Sequence, residues 1–331
     1  MATLTGDVLE AVLTKYSENV AETQKRKVPL LANLKKRGKI REITGATSIT
    51  EEISAGGNLP IEQSPDAVLP FTNPVTITNV LTHAKYGFAW TIGGNGITYA
   101  EEQYNVASPQ KLYNIMEERS KSDVALMEIK MNQSFWSLAE GADGFISVPM
   151  LVSDTPTEGT IGGIARSNVF WQNQAFDCKT HLGIAAGDDL TPQGLVTCMN
   201  DMWDTCCEYG GGEAPTSIYA SPAAYSLYRN WFYDHFRQLS NDRKADAAFD
   251  TLEFNGVTVY REPFLRVAGT RTKDHIYFLN ENYIKWNILN GHNFKFMRER
   301  EPFERMLKIR HLVTWSNLST NNMQKQGVIF Y

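Results

Sequence analysis

The segment of residues 38–85 restricts the possible folds of this chain more than any other part of the sequence. Residues 42–84 contain no Lys or Arg, and between residues 75 and 82 apolar residues alternate with threonines, as in a half-buried strand. The central residues 54–60 are rich in turn formers. We therefore predict a long two-stranded excursion with an irregular tip, whose arms extend at about 3.3 Å per residue. Because an isolated hairpin is only marginally stable in water, something outside the segment must hold it, and another subunit is one candidate.

The chain before this excursion also lacks local partners. Apolar residues from Leu4 to Val20 fall at helical spacing and predict an amphipathic helix with one apolar stripe. Residues 25–41 are basic without a single acid, and Pro29 and Gly38 prevent one continuous helix. Such a run is usually a solvated face or an interaction arm. Because opposite charges lie on consecutive segments, we expect other copies to complete this opening part, in a head-to-tail contact whose repetition closes rings or shells.

A long helix is predicted next. Ser108 is a suitable N-cap and Pro109 a suitable first helical residue, and no Gly or Pro occurs from residue 110 to residue 140. Gly141 then ends the pattern. About thirty residues at 1.5 Å each give roughly 45 Å, the length of a strut that crosses a whole subunit.

Helices and strands in the remaining chain fall into separate groups. Thr191-Pro192 and Ser221-Pro222 each predict the start of a helix. Asn255-Gly256 and Asn290-Gly291 each lie between strand-like runs and predict two tight hairpins. Strands are also predicted at residues 307–315 and at the apolar C-terminus. The order is not a regular βαβ repeat, so we predict an α+β architecture.

Composition narrows the functional classes. The 331 residues carry a net charge of −5, whereas a dedicated nucleic-acid binder is usually more basic. The apolar runs are too short to cross a bilayer, and the acidic start does not resemble a secretion signal. Four cysteines do not make a disulfide scaffold, and we expect reduced thiols. The less favoured alternative is a zinc site built from Cys178, His181, Cys206 and Cys207.

Catalytic motifs are mostly absent. Gly38-Lys39 lacks the other glycines of a phosphate-binding loop, and Gly94-x-Gly96 lacks the third glycine of a dinucleotide fingerprint. Asp188 and Asp189 precede a helix start, where negative charge suits the helix dipole, so we interpret them as structural. No cofactor is predicted. An enzyme of unrecognised type that uses Asp188, Asp189 and His181 remains the weakest of three functional hypotheses.

The order of these elements, together with several local motifs, resembles a known family. The motifs are Ile161-Gly162-Gly163-Ile164-Ala165-Arg166-Ser167 leading to Phe170-Trp171-Gln172-Asn173-Gln174, the Ser-Pro-Ala-Ala-Tyr start at Ser221, Tyr277-Phe278-Leu279-Asn280, Ser316-Asn317-Leu318-Ser319 and Gln326-Gly327-Val328. In this order, an N-terminal arm, an extended loop, a long helix and a mixed domain resemble the major capsid proteins of tailed bacteriophages, which have the Johnson fold of the Hong Kong 97 type.

The resemblance implies an α+β Johnson fold in five parts. In the family's terms, the N-terminal arm is 1–37, the E-loop 38–90, the P-domain 91–175 with a spine helix at 108–140, the A-domain 176–291, and the return to the P-domain 292–331. The implied function is a non-catalytic head protein that assembles with itself, as hexamers and pentamers, into an icosahedral shell around double-stranded phage DNA. It implies synthesis in the bacterial host cytoplasm and a final location in the virion.

Other partners follow from the same resemblance. Portal and scaffolding proteins are expected, a decoration protein is a further candidate, and contact with packaged DNA is expected to be weak and non-specific. No scaffolding segment is expected to be fused to the chain, which begins at once with the arm helix. The alternative is the shell of an encapsulin-like cellular nanocompartment, which would enclose a cargo enzyme instead of DNA.

The two charged segments supply the residues that we expect at contacts between subunits. In the E-loop these are the acids Glu42, Glu51, Glu52, Glu62 and Asp66. In the N-terminal arm, facing neighbours or the interior, they are Lys25, Arg26, Lys27, Lys35, Lys36 and Arg37. Residues 42–84 lack the lysine that one type of family member cross-links, so any reinforcement is expected to be non-covalent or to come from a decoration protein. Reversal of Glu51 and Glu52 to Lys is expected to impair assembly without unfolding the subunit.

Overall fold

A computed structural model describes eight stretches of the chain, with helices and strands in mixed order. These are residues 28–54, 81–104, 109–138, 144–185, 188–236, 252–267, 272–302 and 306–331. The predicted α+β class is confirmed. The helix predicted between residues 4 and 20 and the tip of the predicted excursion lie outside the described residues.

The regular elements are numbered in chain order. The α-helices are α1 (Pro29–Lys36), α2 (Tyr99–Tyr104), α3 (Pro109–Phe135), α4 (Val148–Leu151), α5 (Cys178–His181), α6 (Pro192–Tyr209) and α7 (Pro222–Phe236). The first strands are β1 (Ile40–Ile43), β2 (Ser48–Ser54), β3 (Leu81–Gly87), β4 (Ala89–Thr98), β5 (Thr160–Ile161), β6 (Ile164–Ala165), β7 (Gln174–Asp177) and β8 (Ser217–Ala220). The later strands are β9 (Leu252–Phe254), β10 (Val257–Arg261), β11 (His275–Leu279), β12 (Ile284–Leu289), β13 (Lys295–Phe296), β14 (Leu307–Thr320) and β15 (Gly327–Phe330). Across the described stretches, no helix is both long enough and apolar enough to span a membrane.

A five-stranded sheet is built around the long strand β14. Ser316 of β14 pairs with Ala89 of β4 and with Ile288 of β12, so β4 and β12 lie on opposite edges of β14. The pairing of Lys295 in β13 with Val313, which also faces β4, places β13 on the same edge as β12. The sheet is completed by β1, which runs parallel to β12.

The hairpin predicted at Asn290-Gly291 is wrong, because β12 and β13 pair with β14 and not with each other. The turn itself exists: Gly291 has a φ of 74°, and the amide of His292 donates to the carbonyl of Leu289 at 3.0 Å. The chain then continues along the same edge, where the carbonyl of His292 accepts from the amide of Trp315. A local turn therefore interrupts one long edge and does not reverse the chain.

The hairpin predicted at Asn255-Gly256 is confirmed. Both turn residues have positive φ, 47° and 78°, as a two-residue type I′ turn requires, and β9 pairs antiparallel with β10. These two strands form one edge of a six-stranded sheet in the order β7-β15-β11-β8-β10-β9.

The six-stranded sheet separates two cores. Ile276 and Phe278 of β11 face the core that α6 and α7 cover, whereas Tyr277 and Leu279 face the core that contains α3 and the strands β2 and β3. This alternation is the two-residue period of a strand buried on both faces. Helix α6 starts as predicted, with the hydroxyl of Thr191 accepting from the amide of Gly194 at 3.1 Å.

Helix α3 is the long helix predicted from the sequence. Its 27 residues span about 40 Å, and it buries Val124, Met127, Met131 and Phe135 on one side. It begins at Pro109 as predicted but ends at Phe135, short of the predicted residue 140.

The helix ends where Trp136 turns inward toward the six-stranded sheet. The ring of this buried side chain lies 5.2 Å from that of Tyr219 and 5.9 Å from that of Tyr277, measured between centroids.

Sheet membership differs from the predicted domain boundaries at three places. Strand β1, predicted to belong to the excursion, is a member of the five-stranded sheet because it pairs with β12. Strand β12, predicted to belong to the A-domain, pairs with β14 of the predicted return segment. Strand β15 of that return segment instead inserts between β7 and β11 of the six-stranded sheet.

Candidate assembly site

The paired strands β2 and β3 form an antiparallel hairpin whose two faces differ. Pairing runs from Ser48 opposite Gly87 to Ser54 opposite Leu81, which confirms the predicted two-stranded pairing for these residues. One face buries side chains of both strands, namely Ile49, Glu51, Ile53, Ala84 and Tyr86. The other face exposes Glu52, His83 and Lys85. The hairpin therefore has an inner face held by the subunit and an outer face open to other molecules.

Glu51 anchors the inner face electrostatically. Its carboxylate is buried and accepts from the Lys285 ammonium of β12 at 2.5 Å and from the Ser319 hydroxyl of β14 at 3.0 Å. Asn287 in turn donates to the Ser319 hydroxyl at 2.7 Å. Because a buried carboxylate needs such partners, Glu51 is committed inside its own subunit. The expectation that it faces a neighbouring subunit is therefore not supported, and its reversal to Lys would place two ammonium groups together and destabilise the subunit itself.

Tyr86 and the turn between β5 and β6 also anchor the inner face. Its hydroxyl donates to the carbonyl of Thr320 at 2.9 Å, and burial raises the pKa of the phenol well above its usual value. Gly162 packs directly against the hairpin: a Cβ at this position would lie 2.8 Å from the Cβ of Ala84, and its carbonyl accepts from the amide of Lys85. With a φ of 61°, this position needs glycine for both backbone conformation and space.

The basic stretch before the hairpin is not a solvated arm where the structure describes it. Residues Pro29–Lys36 form α1, with Pro29 as the first helical residue, and Leu30, Leu31 and Leu34 are fully buried. From its polar side, Asn33 donates to the hydroxyl of Tyr219 at 3.0 Å. For residues 28–54, the expectation that only other copies complete the opening part of the chain is therefore wrong.

Arg37, just after α1, is also engaged inside the subunit. Its guanidinium lies 3.1 Å from the carboxylate of Glu281, a fully buried side chain that further accepts from Ser217 and Tyr219 at 2.7 Å each. Burial, with the neighbouring carboxylate, raises the pKa of Tyr219 well above its usual value. Arg37 was predicted to contact a neighbour or the interior, but it neutralises a carboxylate that has no access to water.

The other predicted contact residues divide into two groups. Glu42, Glu52, Lys35 and Lys36 are exposed on the subunit surface. Lys25, Arg26, Lys27, Glu62 and Asp66 lie outside the described residues. Their roles at contacts between subunits remain predictions.

The residues of the enzyme and zinc alternatives do not converge on one site. The Nε2 atom of His181 lies 2.9 Å from a carboxylate oxygen of Asp201, and its ring stacks on Phe176. Asp188 and Asp189 are exposed before α6. Within the described stretches, no group of three His, Cys, Asp or Glu side chains is placed to hold a metal ion.

Sequence reasoning missed the body residues that hold the hairpin and Arg37. Lys285 is the single charged residue of β12, and Glu281 is the single acid between β11 and β12, so each carried a weak signal of a buried partner. Gly162-Gly163 between two isoleucines carried a stronger signal, because such a pair is typical of a two-residue hairpin turn. None of these signals identifies the residue that each one contacts.

Comparisons with known proteins identify the fold. No protein-family model and no curated protein sequence match the chain. Among solved structures, the Cyanophage A-1(L) capsid asymmetric unit matches with a TM-score of 0.65 and 11% identity, over 91% of this chain and 92% of that one. The capsid of the empty GTA particle matches with a TM-score of 0.53 and 9% identity, over 89% and 88%. A protein of Mycobacterium phage Che8 matches with a TM-score of 0.50 and 6% identity, over 86% and 84%.

These matches extend over nearly the whole of each chain and not over one shared motif. The chain therefore has the fold of tailed-phage major capsid proteins. This is the Hong Kong 97-type fold that the order of elements predicted.

Proposed function

We propose that this protein is a major capsid protein that assembles with copies of itself into the icosahedral shell around the double-stranded DNA of a tailed phage. The observation that carries the proposal is the match of about nine-tenths of the chain to a phage capsid subunit at a TM-score of 0.65. The proposal rests on the fold and not on a lack of partners in the opening segment, because α1 and the hairpin are anchored in their own subunit.

The geometry of the hairpin supports an assembly role. Residues 55–80 connect β2 to β3 in sequence, and buried anchors hold the inner face of the two strands. Their outer face keeps Glu52 and Lys85 exposed. A rigidly held strand pair with a charged outer face sets the register of a protein contact, because rim charges govern pairing more than raw affinity. We infer that Glu42, Glu52, Glu62 and Asp66, together with the arm residues Lys25, Arg26, Lys27, Lys35 and Lys36, act at contacts between subunits.

The proposed role is structural and not catalytic. Its partners are other copies of the chain, in hexamers and pentamers, with portal and scaffolding proteins and a decoration protein as further candidates. The net charge of −5 suits the inner wall of a container, because a broadly positive surface would bind DNA tightly and resist its packing and release. The proposed location is the virion.

Electron microscopy and sedimentation of the expressed protein test this proposal. Hollow particles or capsomers are expected as protein concentration is raised at several salt concentrations. Stable monomers under all these conditions, with scaffold supplied, would contradict it. The content of particles from the native source separates two shell functions: enclosed DNA supports the capsid, whereas a co-purified enzyme supports the nanocompartment.

A further inference from the structure

Two buried cysteines from different helices lie side by side. Cys178 is the first residue of α5, Cys198 lies in α6, and both side chains are fully buried. The Sγ atom of Cys198 lies 3.8 Å from the carbonyl oxygen of Cys178. A hydrogen bond between the two side chains raises the pKa of Cys178 and lowers that of Cys198. The two thiols are therefore neighbours in space, although 20 residues separate them along the chain.

The other two cysteines are placed differently. The Sγ atom of Cys206 lies 3.7 Å from the thioether sulfur of Met202, and burial raises the pKa of Cys206 to about 12. Cys207 is half-buried, and burial raises its pKa as well. A bond between adjacent cysteines is strained, so these two do not suit each other as partners. Of the four thiols, Cys198 has the lowered pKa and is the best nucleophile, because the thiolate is the reactive form.

A polar pair lies one helical turn from the two thiols, on the exposed side of the same helices. His181 follows Cys178 by three residues in α5, and Asp201 follows Cys198 by three residues in α6. The Nε2 atom of His181 lies 2.9 Å from a carboxylate oxygen of Asp201, and the two side chains are 36% and 45% exposed. Exposed pairs of this kind contribute little to stability, and α5 has only four residues. Local opening of α5 therefore gives small molecules access to the thiols without global unfolding.

We propose that Cys178 and Cys198 form a disulfide bond inside the folded subunit when an oxidant of the peroxide class, such as hydrogen peroxide, reaches them. The thiolate of Cys198 attacks one peroxide oxygen, so an S–O bond forms as the O–O bond breaks, and the departing hydroxide takes up the thiol proton and becomes water. The sulfur of Cys178 then attacks the sulfur of the Cys198 sulfenic acid, and a second water leaves as the S–S bond forms. The two thiols together lose two hydrogens, and the peroxide is reduced to two waters.

The bond would reinforce the subunit from within. It ties α5, which directly follows the edge strand β7, to α6, and it closes the chain between two residues that are 20 positions apart. Such a closure stabilises a protein mainly because it restricts the unfolded chain. A shell protein made with reduced thiols would gain this bond after leaving the cell, without any new contact between subunits. The disulfide itself does not depend on the proposed shell function.

Mild treatment of the folded full-length chain with hydrogen peroxide tests the proposal. The number of thiols titrated after denaturation is expected to fall from four to two. Mass spectrometry of peptides is expected to find a cross-linked peptide that joins Cys178 to Cys198 and lacks two hydrogens. The melting temperature of the oxidised protein is expected to rise by about 5 °C or more and to return to the starting value with dithiothreitol.

Cysteine variants separate this pair from the other thiols. Cys178→Ser is expected to abolish the cross-link and to leave a sulfenic acid at Cys198 that a β-diketone reagent traps, because the resolving thiol is absent. Cys198→Ser is expected to abolish both the cross-link and the reversible rise in melting temperature. Cys207→Ser is the matched control and is expected to retain both. His181→Ala is expected to form the cross-link about twofold or more faster, because α5 then opens more readily.

Several results would overturn the proposal. Retention of all four thiols after treatment of the folded wild type would do so, as would a cross-link that forms only after the chain is unfolded in denaturant. A cross-link that maps to Cys206 or Cys207, or a reversible rise in melting temperature that persists in Cys198→Ser, would also exclude it. The measurements on wild type need no variant to fold, and none of them requires assembly, so failure to form particles would count against the proposed function alone.

Discussion

Removal of the Lys285 ammonium tests whether Glu51 anchors the hairpin. In Lys285→Met the Glu51 carboxylate stays buried, with the Ser319 hydroxyl as its remaining described partner. Loss of one partner of a buried ion pair typically costs 3–5 kcal/mol. We expect about 3 kcal/mol, at the lower end, because the Lys285 side chain is 25% exposed and water reaches that side of the pair.

The double-mutant cycle isolates the ion pair. Glu51→Gln keeps a hydrogen-bonding group beside Ser319 and leaves Lys285 able to turn toward water, so we expect a loss of about 1 kcal/mol. The double variant removes both charges and is expected to be about 2 kcal/mol less stable than wild type, which corresponds to a coupling of about 2 kcal/mol. Lys295→Met, at an exposed lysine of β13, is the matched control and is expected to be nearly neutral.

Chemical denaturation measures the global free energy of unfolding, and native-state hydrogen exchange measures local opening of the hairpin. The loss of about 3 kcal/mol expected for Lys285→Met corresponds to roughly 150-fold faster exchange of the amides of β2 and β3 if they open as a local unit. Additive effects of the two single variants would refute the reasoning. So would unchanged stability and exchange in Lys285→Met, because the charge would then be satisfied without its lysine.

Three other predictions concern single positions in the same body. Gly162→Ala is expected to lower the free energy of unfolding by about 3 kcal/mol or more, because it strains a backbone with φ of 61° and places a Cβ 2.8 Å from that of Ala84. Gly163→Ala is the matched control, with similar φ but open space around it, and is expected to cost about 1 kcal/mol. Equal melting temperatures for the two variants would contradict this reasoning. Burial raises the pKa of Glu262 from 4.5 to about 7, so its neutral form stabilises the native state below pH 4.5, and about 3 kcal/mol is lost as pH rises through 7. Denaturation of Glu262→Gln against pH is expected to lack this loss, and a pH dependence identical to wild type would exclude the assignment. Gly327→Ala would place a Cβ 2.5 Å from a buried thioether and is expected to displace β15, seen as faster hydrogen exchange at the C-terminus; wild-type exchange there would show that the core yields without cost.

Local chemistry was enough to predict several elements of this fold. Thr191 begins α6 because its hydroxyl can cap the nearby amide of Gly194, and Asn255-Gly256 reverses the chain because both residues tolerate positive φ. The long helix and the pairing of β2 with β3 followed from periodicity and from the absence of breakers. The caps, the turn and the long helix depend on residues close together in the sequence, so the sequence by itself determined them, whereas the pairing of β2 with β3 joins residues from Ser48–Gly87 to Ser54–Leu81 and followed from the strand-like runs on either side of a turn-rich segment. The order of elements also predicted the capsid fold.

Tertiary structure decided which charged residues are free to contact other molecules. Glu51 and Arg37 belong to charged runs that resemble solvated faces, yet their partners Lys285 and Glu281 lie 234 and 244 residues away along the chain. The turn at Asn290-Gly291 likewise leads along β14 and not back on itself, because a distant strand supplies the hydrogen bonds. Burial and pairing across such separations depend on how the whole chain packs, and no local pattern of charge or turn residues encodes them.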